Sequence, residues 1–129
     1  MYKKFLTTAF VLGGLAVALG AFGAHKLKTV FSEDILQVYE TAVKYQFYHV
    51  FALLFTGLLL KSNAIKVWVI AGWLFVVGIS LFSGSLYLLC FLKSQQLTQY
   101  YWVGAITPLG GVSFILGWLA LAWGLNKKS

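Results

Sequence analysis

The sequence has little with which to do acid–base chemistry or covalent crosslinking. Its acids number three, Glu33, Asp34 and Glu40, all in one short segment, and arginine is absent, so all ten basic residues are lysines. General acid–base catalysis needs titratable groups positioned on the reacting atoms, and three clustered carboxylates offer few. A proton path across a membrane needs ionisable side chains within the membrane segments, yet the acids lie outside every long apolar run. The one cysteine, Cys90, excludes a disulfide within the chain and leaves a cysteine-based metal site unsupported; it reads as a small apolar packer. The GxSxG elbow, the phosphate loop and the HExxH pair are also missing.

What the chain has instead is long apolar runs. It is 60% hydrophobic and 10% charged, against about 25% charged in an average globular domain. Four runs, 5–23, 45–60, 67–92 and 100–125, approach or exceed the roughly 20 residues a spanning helix needs. The second is short on its own and is completed by the amphipathic segment before it. Hydrocarbon cannot satisfy backbone amides, so runs of this length must be helical. The expectation is an all-α integral membrane four-helix bundle, one domain over 1–129, with an amphipathic interfacial helix at 32–44 between spans 1 and 2. Lys3 and Lys4 before the first run imitate a secretory signal, but the run is longer than the usual core of about 7–15 residues, so the segment is expected to stay as a span.

The net charge of +7 is read as topology and attraction to lipid headgroups rather than to nucleic acid. Lys3, Lys4, Lys61, Lys66, Lys127 and Lys128 fall on one side of the four spans, and Lys26, Lys28, Lys44 and Lys93 on the other. Six against four predicts both termini in the cytoplasm. Trp68, Trp102 and Trp123 stand near span ends, as interfacial aromatics do.

Small residues mark the expected contacts between helices. Ala9, Gly13, Ala16, Gly20 and Ala24 share one face of span 1. Such a stripe lets backbones approach closely, either within the chain or between copies in a homo-oligomer. Span 3 carries Ser80, Ser83, Gly84 and Tyr87 on one face, with Gly78 and Ser85 nearly opposite. Span 4 repeats glycine every seven residues, at Gly110, Gly117 and Gly124, a spacing suited to a left-handed seam. Gly84 and Gly117 are expected at helix contacts, and Pro108 is expected to kink span 4. Ser32, followed by Glu33 and Asp34, reads as the N-cap of a helix that continues into span 2.

The strongest anomaly is the polar start of span 2. Ala42, Tyr45, Gln46, His49, Leu53 and Thr56 share a helical face, placing an amide, an imidazole, a phenol and a hydroxyl where lipid could not satisfy them. One reading has Gln46 and His49 bonding across to serines or tyrosines of span 3 and locking the bundle. Another makes a polar pocket of His49 with His25, for a headgroup, a small molecule or a proton. Two histidines without a suitably spaced carboxylate do not make a metal site.

Four blocks carry a resemblance: GAFGAHKL at 20–27, YQFYHVFALL at 45–54, LFSGSLYLL at 81–89 and ITPLGGVSFILGW at 106–118. In this order and spacing the chain resembles the small bacterial inner-membrane proteins grouped as domain of unknown function 423, which have mitochondrial relatives in eukaryotes. The resemblance implies a four-span protein of the plasma membrane and brings no agreed activity or catalytic residue. The matching polar positions are His25, Gln46, His49, Ser83, Ser85, Tyr87, Thr107 and Pro108, and the expectation is that they gather in one polar cluster. The expected role is a non-enzymatic accessory, scaffolding or lipid-interacting protein. The expected partners are membrane lipids, a protein of a larger membrane complex, or further copies of the chain; no nucleic acid, metal or cofactor is expected. The alternative is a small-molecule or lipid carrier built around His49, and the remote alternative an intramembrane Ser–His hydrolase.

Overall fold

The computed structural model describes residues 1–127; Lys128, one of the span-end lysines, lies outside the described residues. Among these residues four helices are long and apolar enough to cross a membrane: α1 Tyr2–Val30, α2 Glu33–Ser62, α3 Lys66–Ser94 and α4 Thr98–Asn126. Each has 29 or 30 residues and so runs to about 44 Å, against about 30 Å of hydrocarbon. Their polar ends therefore reach through the headgroup layer. Short connections make sequence neighbours antiparallel. α1 packs on α2, α4 packs on α3, and α2 against α3 joins the two pairs. α2 is the most enclosed, with 50% of its apolar window buried against 17% in α1.

The amphipathic segment expected at 32–44 forms the first three turns of α2. Ser32 caps it, its hydroxyl accepting from Ile35 N–H at 3.4 Å, with Glu33 and Asp34 in the first turn. Nothing between Glu33 and Ser62 breaks the helix. Tyr39 and Ala42 are buried while Glu33, Asp34, Gln37, Glu40 and Lys44 are exposed. The amphipathic pattern therefore records one face of a helix that projects beyond the bilayer.

Two expectations are corrected. Pro108 does not kink the fourth span: it sits in the first turn of the α-helical part, Thr107–Asn126, after a 3₁₀ stretch at Thr98–Ala105. Its missing N–H is unpaired there in any case and its fixed φ suits a helix start. Trp68 does not face lipid as an interfacial anchor would: it is fully buried, its indole N–H donating to Leu121 O at 3.1 Å. Trp102 and Trp123 are exposed, and Lys127 Nζ lies 5.9 Å from the Trp123 ring centre.

The seam between α3 and α4 is an aromatic–glycine ladder. Gly110, Gly117 and Gly124 face Phe82, Phe75 and Trp68 in turn, so a seven-residue glycine repeat meets a seven-residue aromatic repeat on an antiparallel partner. A Cβ at Gly117 would lie 2.7 Å from Phe75 Cε1, one at Gly124 2.8 Å from Trp68 Cε2, and one at Gly110 2.8 Å from the Phe82 Cα itself. Matched heptads keep the two faces in register along both helices.

The small stripe of α1 is used within the chain. Ala9 and Ala16 are fully buried, and Cβ atoms at Gly13 and Gly20 would stand 3.4 Å from Val50 and Val43 of α2. Ala24, beyond the start of a π-helical turn at Gly23–Leu27, is exposed. Gly84 is the misplaced glycine. It is exposed, and the nearest atom to its missing Cβ is Ile79 O of its own helix at 4.0 Å.

Candidate functional site

The polar residues of the spans do not gather in one cluster; beside single bonds to backbone carbonyls they form three separate hydrogen-bonded sets. A π-helical turn spans Ile79–Ser83. The wider turn rotates the rest of the helix relative to a continuous α-helix, and such turns are frequent at functional positions. Ser83 faces α2, where its hydroxyl donates to Ala42 O at 2.8 Å. Ser85, two residues on, faces α4.

The first set is built on Gln46, which is 2% exposed. Its amide N–H donates to Leu12 O of α1 at 2.9 Å, and its carbonyl oxygen accepts from Tyr87 O–H of α3 at 2.7 Å. One side chain thus ties three helices. A narrow cleft of about 190 Å³ opens beside it between α1 and α3, bordered by Leu15, Ser80, Ser83 and Gly84. In the second set, Ser85 donates to Phe82 O at 2.9 Å, so its hydroxyl accepts from Thr107 at 2.6 Å across to α4.

The third set is His49, which is 4% exposed. Its ring lies flat on Phe114, with centres 3.4 Å apart and planes 7° from parallel. Nδ1 stands 2.7 Å from Tyr45 O, and Nε2 accepts the indole N–H of Trp118 at 3.1 Å. This pairing fits the neutral tautomer with its proton on Nδ1: each ring nitrogen has one partner of the right kind. Beside it a lateral groove of about 490 Å³ lies between α2 and α4, walled by Tyr45, Tyr48, Phe82, Phe114 and Trp118, with Gly111 leaving room. It is an aromatic groove open to the side, and its one deep polar group is already bonded.

His25, expected beside His49, is exposed at the end of α1, whereas the groove is lined by α2, α3 and α4. Gln46 does bond to a tyrosine of span 3; His49 turns instead to Trp118 of span 4. Trp118 carries no warning in the sequence, because an indole in an apolar run looks like packing, although it falls four residues after Phe114 and so shares its helical face. Tyr39, whose hydroxyl donates to Leu19 O at 2.5 Å, and Ser113, which donates to Leu74 O at 2.6 Å, are further interhelical bonds without a sequence signal. Among the described residues no three His, Cys, Asp or Glu side chains come together as a metal site would require.

Comparison with known proteins gives one consistent picture. The model of a family described as protein of unknown function, DUF423, matches residues 19–111. A UPF0382 membrane protein of Staphylococcus saprophyticus is 46% identical over 97% of this chain and 98% of its own length. The UPF0382 membrane protein YwdK of Bacillus subtilis is 44% identical over 92% of this chain and 93% of its own. One from Haemophilus influenzae is 40% identical over 99% and 98%. No solved structure matches the chain.

Proposed function

The chain belongs to the DUF423 family, membrane proteins of unknown function, and from that premise we propose that it is a non-enzymatic accessory protein of the bacterial inner membrane. It acts by contact with lipids and with a larger membrane complex rather than by chemistry. The observation that carries this reading is how the inward polar groups are used. Among the described residues no buried side-chain nitrogen or oxygen lacks a partner, and most of those partners lie on a neighbouring helix. Acyl transfer needs a serine hydroxyl bonded to its base. Here Ser80 bonds Val76 O, Ser83 bonds Ala42 O, Ser85 bonds Phe82 and Thr107, and His49 is held by Tyr45 and Trp118. What remains for function is the outer surface, where Phe10, Val17, Val112 and Leu119 are all more than half exposed.

Orientation is argued from charge. Lys3, Lys4, Lys61, Lys66 and Lys127 occupy the end of the bundle where α1 and α3 begin and α2 and α4 end, which supports both termini in the cytoplasm. A second reading, a carrier for a membrane-soluble molecule, draws support from the aromatic groove beside His49.

Photoreactive benzoylphenylalanine placed in turn at Phe10, Val17, Val112 and Leu119 in cells tests the leading reading. The expected result is a discrete protein adduct from one face and lipid adducts from the others. Lipid adducts from every face would remove the larger complex from the proposal. Ester or peptide turnover by the purified protein, lost in Ser83→Ala or His49→Gln variants that melt like the wild type, would overturn it.

A further inference from the structure

Among the described residues one end of the bundle carries positive charge with no acidic side chain near it. Glu33, Asp34 and Glu40 all lie in the first turns of α2, and the other end of that helix, Ser62, stands beside the lysine-rich end. From Glu40 to Ser62 is about 33 Å along the helix. Gly57 of α2 packs on Leu6 and the Tyr2 carbonyl, which sets the beginning of α1 beside the last turns of α2. Phe5 fixes the other side of α1. Its ring packs on Gly72 of α3 and stands edge-on to Trp73 at 5.5 Å.

Between α1 and α3 this packing leaves a cleft of about 400 Å³ lined by Lys3, Lys4, Thr7, Thr8 and Trp73. Lys3 and Thr7, and Lys4 and Thr8, are each one turn apart and so lie on the same faces. Thr29, Thr41 and Thr56 turn their hydroxyls back onto carbonyls of their own helices; Thr7 and Thr8 make no such bond among the described residues. The cleft therefore offers two ammonium groups and two uncommitted hydroxyl donors. Trp73 stands about 10 Å deeper than Lys66 along α3, at the depth where acyl chains begin. A half-exposed indole suits that boundary, with one apolar face and one polar edge.

We propose that this cleft is a binding site for the phosphate-bearing headgroup of an anionic phospholipid, Lys3, Lys4, Thr7 and Thr8 donating to the phosphate oxygens and one acyl chain lying along Trp73. The excess of lysine there selects an anion, and the apolar wall below it selects a lipid over a soluble phosphate. The proposal deepens the reading of the protein as one that contacts lipids. It assigns that contact to a specific site, whereas contact with a larger membrane complex stands or falls separately.

Thermal unfolding of the full chain in a neutral detergent, at fixed ionic strength, tests the site with dihexanoyl phosphatidylglycerol, dihexanoyl phosphatidylcholine and inorganic phosphate. The phosphatidylglycerol should raise the midpoint and the other two should not. The double variants Lys3→Gln/Lys4→Gln and Thr7→Val/Thr8→Val should each lose most of that difference. Lys61→Gln/Lys66→Gln, which removes equal charge from the same end, should keep it. Equal effects of the two lipids, or equal losses from both lysine pairs, would overturn the proposal in favour of diffuse surface charge. An equal rise with phosphate alone would overturn it in favour of a soluble anion. Bromine-labelled phosphatidylglycerol supplies a reading independent of melting: the fraction of tryptophan fluorescence it quenches should fall in Trp73→Phe, and an unchanged fraction would place the lipid elsewhere.

Discussion

A single histidine shows how a membrane interior constrains its polar side chains. In hydrocarbon an unbonded imidazole is costly, so His49 must either find two partners or face water, and it finds Tyr45 O and Trp118 Nε1. Polar bonds between membrane helices are modest because the separated helices also find partners, averaging about 0.6 kcal/mol in coupling. His49→Leu should therefore lower stability by about 0.5–2 kcal/mol, since it also leaves the Trp118 N–H without its acceptor. His49→Gln should retain much of the stability, because an amide replaces both a donor and an acceptor. A double-mutant cycle of His49→Leu with Trp118→Phe, measured by unfolding in detergent, should give a coupling near that average of about 0.6 kcal/mol. Zero coupling would mean that the indole is bonded elsewhere. Variants that keep wild-type stability but lose a co-purifying small molecule would favour the carrier reading over the accessory one.

At the level of whole helices the glycines divide into those that admit a neighbour and those that do not. Gly117 faces Phe75 across the α3–α4 seam, and its missing Cβ would stand 2.7 Å from that ring. Gly84 looks into open space. Leucine at 117 should overpack the seam and cost about 1–3 kcal/mol, while Gly84→Leu should leave the melting temperature in detergent close to wild type. The ladder adds a compensation test. Gly117→Ala should be partly rescued by Phe75→Leu, which shortens the facing side chain, and rescue absent in that double variant would show that the two do not meet. The glycine repeat of α4 is legible because seven-residue spacing is visible in one line of sequence. Its partners Phe82, Phe75 and Trp68 are not, since aromatic residues are frequent throughout the chain and carry no sign of which helix they face. Gly84 misleads for a different reason. It does share a face with Ser80, Ser83 and Tyr87 beside the cleft between α1 and α3, but no neighbouring helix closes on that face at Gly84. Spacing alone does not say which part of a face is covered.

For the molecule as a whole, the number of spans and the identity of the helices could be read directly, because hydrophobic length answers to the thickness of the bilayer. The grouping of polar residues could not. Gln46, His49 and Ser85 are each satisfied by a different pair of helices, and pairing between helices is a matter of register that a run of apolar letters does not encode. Topology lies between these cases. Four antiparallel helices place the α2–α3 connection with the C-terminus and opposite the α3–α4 connection, and the lysines favour the former side as cytoplasmic. Single cysteines at Asn63 and Asn126 should then react with an impermeant maleimide only from the cytoplasmic face, and one at Gln95 only from the other. Gln95 reports on the same loop and leaves Gln96, which holds the turn at φ 56°, unchanged. The native Cys90 is buried, and its substitution by alanine removes it from the assay. Labelling of Gln95→Cys and Asn126→Cys from the same side would contradict an odd number of crossings between them and with it the four-span bundle. The reverse pattern, with Gln95→Cys alone reactive from the cytoplasm, would keep the bundle and invert it. The cluster of Lys3, Lys4, Lys61, Lys66 and Lys127 would then face the outer leaflet, against the direction that positive charge favours.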